Sequence, residues 1–106
     1  MKSSNPTALR LLLVDDRPAF LHAVTRALTL NPHIGIVGEA SSGRQAIALV
    51  PELSPDVVLM DLALPGMNGF EATRQIKLQS SPPHVVILTS PRVGALSRGG
   101  GGRGCR

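Results

Sequence analysis

Two short apolar runs, each closed by acid, constrain this chain more than any other feature. Leu9–Val14 runs into Asp15-Asp16, and Val57-Val58-Leu59-Met60 runs into Asp61. Neither has the regular polar alternation of a strand with one wet face, so both predict strands covered on both sides, as in a parallel sheet. Parallel neighbours need long crossover connections, usually helical. The stretches between the runs have that character.

Pro18 suits the first turn of a helix, and Phe20, Leu21, Val24, Ala27 and Leu28 then fall on one face until Asn31-Pro32. Ile34–Ala40 reads as a second strand, and Ser41-Ser42-Gly43 as the start of a second helix with Ala46, Ile47 and Val50 inward. Pro51 predicts an end or kink near Val50, because it has no N–H to donate. Leu64-Pro65-Gly66 and Asn68-Gly69 are turn signals ahead of a third helix over Phe70–Leu78. After Pro82-Pro83, Val85–Leu88 forms a fourth strand ending in Thr89-Ser90. This alternation predicts an α/β fold, a doubly wound parallel sheet with right-handed crossovers.

At 106 residues the chain holds one domain. Apolar stretches of four to six residues exclude a membrane span, and no signal peptide opens the sequence. The lone Cys105 excludes an intrachain disulfide and a Cys-rich zinc site, and fits a reducing cytoplasm. The formal charge of +4 is unevenly placed. Residues 1–90 hold seven basic side chains and all seven acids, so the excess is Arg92, Arg98, Arg103 and Arg106. Six of the 11 glycines share that last stretch. Residues 1–7 are therefore read as an arm, 8–90 as the folded body and 91–106 as a disordered Gly/Arg tail. The tail has no aromatic side chain for base stacking, so it offers nucleic acid only a weak, salt-sensitive contact.

In such sheets ligands bind beyond the carboxyl ends of the strands, where the strand order reverses. Asp15, Asp16, Asp61, Thr89 and Ser90 occupy those ends here. Crowded carboxylates repel unless a cation intervenes, and hard oxygen donors with room for water suit Mg²⁺. An ionised aspartate held there is a competent nucleophile toward a phosphoryl group, with a hydroxyl to donate to its oxygens. The bland alternative is a solvated acid at each strand end, with Asp16 simply capping the first helix. The conjunction of a doublet, an acid and a hydroxyl at three strand ends favours the chemical reading.

Leu11-Leu12-Leu13-Val14-Asp15-Asp16, then Asp61-Leu62-Ala63-Leu64-Pro65-Gly66-Met67-Asn68-Gly69, then Val86-Ile87-Leu88-Thr89 resemble the receiver domain of bacterial two-component response regulators. Gly38-Glu39-Ala40-Ser41-Ser42-Gly43-Arg44-Gln45-Ala46 is similar to the subgroup that usually carries a C-terminal helix-turn-helix, and no such domain is present here. The resemblance covers about residues 8–90. It implies a flavodoxin-like sheet of order 2-1-3-4-5, here incomplete: four strands and three helices, with the fifth strand missing. It also implies that Asp61 accepts a phosphoryl group from a histidine kinase. Asp16, Asp61 and the Ala63 carbonyl would hold Mg²⁺, Asp15 a metal-bound water, and Thr89 would follow the phosphoryl group.

The family pattern has a lysine some twenty residues beyond the switch hydroxyl, whereas Lys2 and Lys77 are the only lysines here. The abrupt change to low complexity at Pro91 carries the expectation of a shifted or prematurely ended reading frame. Losing one preorganised charge contact costs about 10²–10³ in rate in acyl-transfer sites, so phosphorylation is expected to be slow. An outer fourth strand would also present an apolar edge, open to receiver–receiver or edge-strand association.

Competing readings are an inert receiver-like fragment acting through protein contacts alone, and an aspartate-nucleophile phosphatase. The phosphatase would need an acid two residues after the nucleophile, where Ala63 stands, so the chain is read as no enzyme beyond its own phosphorylation and dephosphorylation. Gly38 and Gly43 have phosphate-loop spacing without the Lys-Ser/Thr that such a loop needs. His22, His33 and His84 make no metal spacing and are read as solvated. Phe20 and Phe70 are expected in the core.

Overall fold

A computed structural model describes residues 8–88. The expected arm (1–7) and tail (91–106) lie outside the described residues, as do Thr89 and Ser90. The elements run β1 (Leu9–Val14), α1 (Pro18–Leu28), β2 (Ile34–Ala40), α2 (Gly43–Leu53), β3 (Val57–Asp61), α3 (Gly69–Lys77) and β4 (His84–Leu88). The strands form one sheet of order β2-β1-β3-β4, and every pair is parallel. This is the flavodoxin-like arrangement expected from the sequence, with four strands and three helices among the described residues.

From β1 the chain steps outward to β2, then back across β1 to β3. With crossovers of one hand, that reversal puts α1 on one face and α2 and α3 on the other. Each face has its own core. Leu12, Val14, Val58 and Met60 pack with Ala46, Val50, Ala72 and Ile76 of α2 and α3. Leu11 and Leu13 pack with Leu21 of α1, flanked by Val57 and Leu59. Central strands that supply both cores must be apolar at successive positions, which is why β1 from Leu11 to Val14 and β3 from Val57 to Met60 read as unbroken runs.

In β2 the same economy needs an irregularity. Leu11 pairs with Ile36 but Leu12 pairs with Gly38, so Val37 is an extra residue. Ile34 and Ile36 thus join the α1 core, whereas Ala40 joins the opposite one.

The helices differ from expectation in instructive ways. Residue 51 would donate to the Ile47 carbonyl in an uninterrupted helix, and Pro51 cannot. Even so, α2 continues to Leu53, because Gln79 Nε2 donates to that carbonyl at 3.1 Å. The C-terminus of α2 is then closed by the Arg10 guanidinium, which donates to the Leu53 and Ser54 carbonyls. Asp16 does not cap α1: the cap position is Arg17, without a side-chain capping bond. Ser42 and Asn68 do cap α2 and α3, accepting from the Gln45 and Glu71 amides. The Gly38–Gly43 stretch is therefore a strand end and a helix cap.

Two core expectations fail. Phe70 is 62% exposed, because α3 buries the stripe of Gly69, Ala72 and Ile76 and Phe70 lies off it. Ala27 is also exposed. β4, an outer strand among the described residues, has one wet face. Val85 and Ile87 pack on the α2/α3 core, whereas Val86 and Leu88 face the α1 side and are exposed. His22, His33 and His84 are exposed, as expected. No helix among the described residues is long and apolar enough to cross a membrane.

Candidate functional site

The register of β1 on β3 builds the site. Val14 lies beside Met60, so the next residues, Asp15 and Asp61, emerge side by side where both strands end. Both follow the odd-numbered positions that face α1, and both are buried, at 3% and 2% exposure. Asp16, partly buried, completes the group. Asp15, Asp16 and Asp61 each present a carboxylate oxygen, and these oxygens lie within 4.8 Å of one another. Burying two carboxylates together opposes folding unless counter-charge or hydrogen bonds offset it. A cluster of this kind is expensive to keep.

The loop that follows is held close. The Gly69 amide donates to the Leu62 carbonyl at 2.8 Å, and the Leu62 amide donates to the Leu88 carbonyl. A Cβ at Gly69 would stand 2.5 Å from the Asp61 carbonyl oxygen and 2.9 Å from Leu62 Cα. Only glycine lets α3 begin this near the end of β3. Gly66, with φ of 79°, makes the left-handed turn that brings the chain back. Ala63 is exposed two residues beyond Asp61, in this loop.

Sequence reasoning did not single out Arg17. Its Nε donates to Asp15 Oδ1 at 2.9 Å and its Nη2 to Asp15 Oδ2 at 2.8 Å. Its backbone N–H donates to Oδ1 as well, at 2.9 Å. The guanidinium also stacks on the Phe20 ring, 4.3 Å from the centroid, which accounts for the partial burial of Phe20. Hydrogen bonding to Asp15 raises the Arg17 pKa above its ordinary value, aided by the charges of Asp15, Asp61 and Asp16. An arginine just after an acid doublet was the available signal. Beneath this group an apolar cleft runs between α1 and the sheet, lined by Leu13, Phe20, Leu21, Val24, Leu59 and Leu88.

The structure thus brings Asp15, Asp16 and Asp61 together and keeps Ala63 nearby, while Thr89 lies outside the described residues. The response regulator receiver domain profile matches residues 11–95. The chain belongs to that family. It is 45% identical over 82 residues to the transcriptional regulatory protein LiaR of Bacillus subtilis, covering 77% of this chain and 39% of that protein. It is 38% identical over 104 residues to the nitrate/nitrite response regulator protein NarL of Escherichia coli K12, covering 93% of this chain and 48% of NarL. The chain therefore spans less than half the length of these two relatives. Among solved structures, the signal receiver domain of the NarL response regulator from Mycobacterium tuberculosis superposes with a TM-score of 0.75 at 33% identity. That match covers 86% of this chain and 73% of the other. Receiver domains are phospho-acceptor modules of two-component signalling and are not in general catalytic enzymes.

Proposed function

We propose that this receiver takes a phosphoryl group on Asp61 from the phosphohistidine of a sensor histidine kinase in the cytoplasm. The observation that carries the reading is the buried Asp61 carboxyl beside Asp15 at the end of β3. An Asp61 carboxylate oxygen attacks phosphorus, the P–N bond breaks, and the departing imidazole nitrogen takes up a proton. The product is an aspartyl phosphate.

Clustered hard carboxylate oxygens fit Mg²⁺, which takes one or two carboxylates and keeps several waters. Asp16, Asp61 and the Ala63 carbonyl would hold the ion, with Asp15 holding one of its waters. Bound there, Mg²⁺ would offset charge on the phosphoryl oxygens. Thr89 would donate a hydrogen bond to one of those oxygens. Lys77, the only lysine among the described residues, donates to the Pro83 carbonyl. The exposed Val86 and Leu88 support association of two receivers along β4. Such self-association would raise the sedimentation coefficient with concentration and would weaken in Val86→Lys.

Acetyl phosphate with Mg²⁺, followed by phosphate-affinity electrophoresis, tests the reading. A retarded band that disappears in Asp61→Asn is expected. The exposed Val86 and Leu88 also suit a second reading, a receiver-like fragment that binds a kinase or another receiver without phosphotransfer. Kinase binding with no retarded band would support it.

A further inference from the structure

The fork between Arg17 and Asp15 matters because it occupies an oxygen set that the preceding reading gives to a metal-bound water. Asp15 Oδ1 accepts from the Arg17 backbone N–H and from Nε, and Oδ2 accepts from Nη2. Two donors use both lone pairs of Oδ1. The side chain of Arg17 is 28% exposed and that of Asp15 is 4% exposed, so the pair stands at the mouth of the site. The Phe20 ring under the guanidinium fixes its plane, which makes the two parallel N–H···O bonds inexpensive to hold.

Resting on the Mg²⁺ reading above, we propose that Arg17 is a tethered counter-cation that competes with the divalent ion for Asp15. Without metal, the guanidinium offsets part of the charge of three clustered carboxylates and so stabilises the folded chain. Arg17 takes three of the four acceptor positions of Asp15 and sets a fixed positive charge beside the cluster, so a metal-bound water on Asp15 must displace a bond of the fork or crowd against the guanidinium. Divalent cations therefore bind more weakly than the carboxylates alone would allow, and site occupancy depends more steeply on the free Mg²⁺ level. Arg17 acts through Asp15 and is a positioning residue, set apart from the phospho-acceptor itself.

Titration of the full-length ¹⁵N-labelled chain with MgCl₂, followed by amide resonances around Asp15, Asp16 and Asp61, tests the proposal in wild type, Arg17→Ala and Arg17→Gln. Both variants are expected to bind Mg²⁺ about threefold to tenfold more tightly than wild type, the scale of one partly exposed ion pair. In wild type the Arg17 Nε–H resonance should shift and exchange faster with water at the same midpoint as the amides. That arm decides the matter alone if either variant loses its native spectrum. Equal or weaker Mg²⁺ binding in natively folded variants, or an Arg17 Nε–H indifferent to Mg²⁺, overturns the role of Arg17 and leaves the metal reading standing. No Mg²⁺-dependent shift in any of the three proteins overturns both.

Discussion

Gln79 completes the helix that Pro51 interrupts: its Nε2 lies 3.1 Å from the Ile47 carbonyl, the acceptor that residue 51 would otherwise satisfy. Gln79→Ala should cost about 1 kcal/mol, the net worth of one such bond. In a Pro51→Ala background, where residue 51 supplies its own N–H, the same change should cost much less. Urea unfolding of the two single variants and the double variant gives the coupling directly.

Gly69→Ala should destabilise by roughly 1–3 kcal/mol, because the added Cβ meets the backbone of Asp61 and Leu62 rather than a mobile side chain. Its second effect is expected on chemistry. The displaced Asp61 should accept phosphate from acetyl phosphate more slowly even where the variant remains folded.

Mg²⁺ should raise the melting temperature of wild type. At a concentration tenfold above its dissociation constant, linkage gives about 1.4 kcal/mol. Asp61→Asn removes one carboxylate from the cluster and should lose most of that gain. Differential scanning calorimetry with EDTA and with MgCl₂ measures both proteins.

The Glu71 carboxyl sits below the usual glutamate range, first because Gln75 donates to it at 3.0 Å and then because Arg74 does at 3.1 Å. A depressed folded-state pKa contributes stability that is present above the unfolded value and is lost as pH falls through the folded one. The contribution is therefore intact at neutral pH and disappears on acidification. In a carboxyl-carbon NMR titration, Gln75→Ala should move Glu71 back toward ordinary glutamate further than Arg74→Ala does.

Phe70→Ala should change stability by less than about 0.5 kcal/mol, the usual range for an exposed site. Ile76→Ala, at a fully buried position of the same helix, should cost about 2–5 kcal/mol. Chemical denaturation of the two variants separates them.

That contrast marks where the fold could be read from sequence and where it could not. The strands were legible because β1 and β3 each serve two cores and must be apolar over residues 11–14 and 57–60. The acid site was legible because three strand ends carried matching chemistry. Phe70 was misjudged because hydrophobicity says nothing about which face the close approach of Gly69 to Asp61 and Leu62 turns toward the sheet. An end of α2 near Val50 was one of the two outcomes expected of Pro51, and it does not occur because the remedy, Gln79, lies 28 residues away in sequence. The pairing of Arg17 with Asp15 depends on two side chains turning toward each other across one intervening residue, which no periodicity reports.

The extra residue at Val37 gives β2 a message written in length rather than in composition. Because of it, Glu39 turns toward α1, where its carboxylate accepts from the Thr25 hydroxyl at 2.8 Å. Paired residue for residue, with Val37 opposite Leu12, the strand would bring Glu39 opposite Val14 and aim its charge into the oily layer beneath α2. One slipped pairing, with every letter kept, would thus turn the far half of that strand inside out.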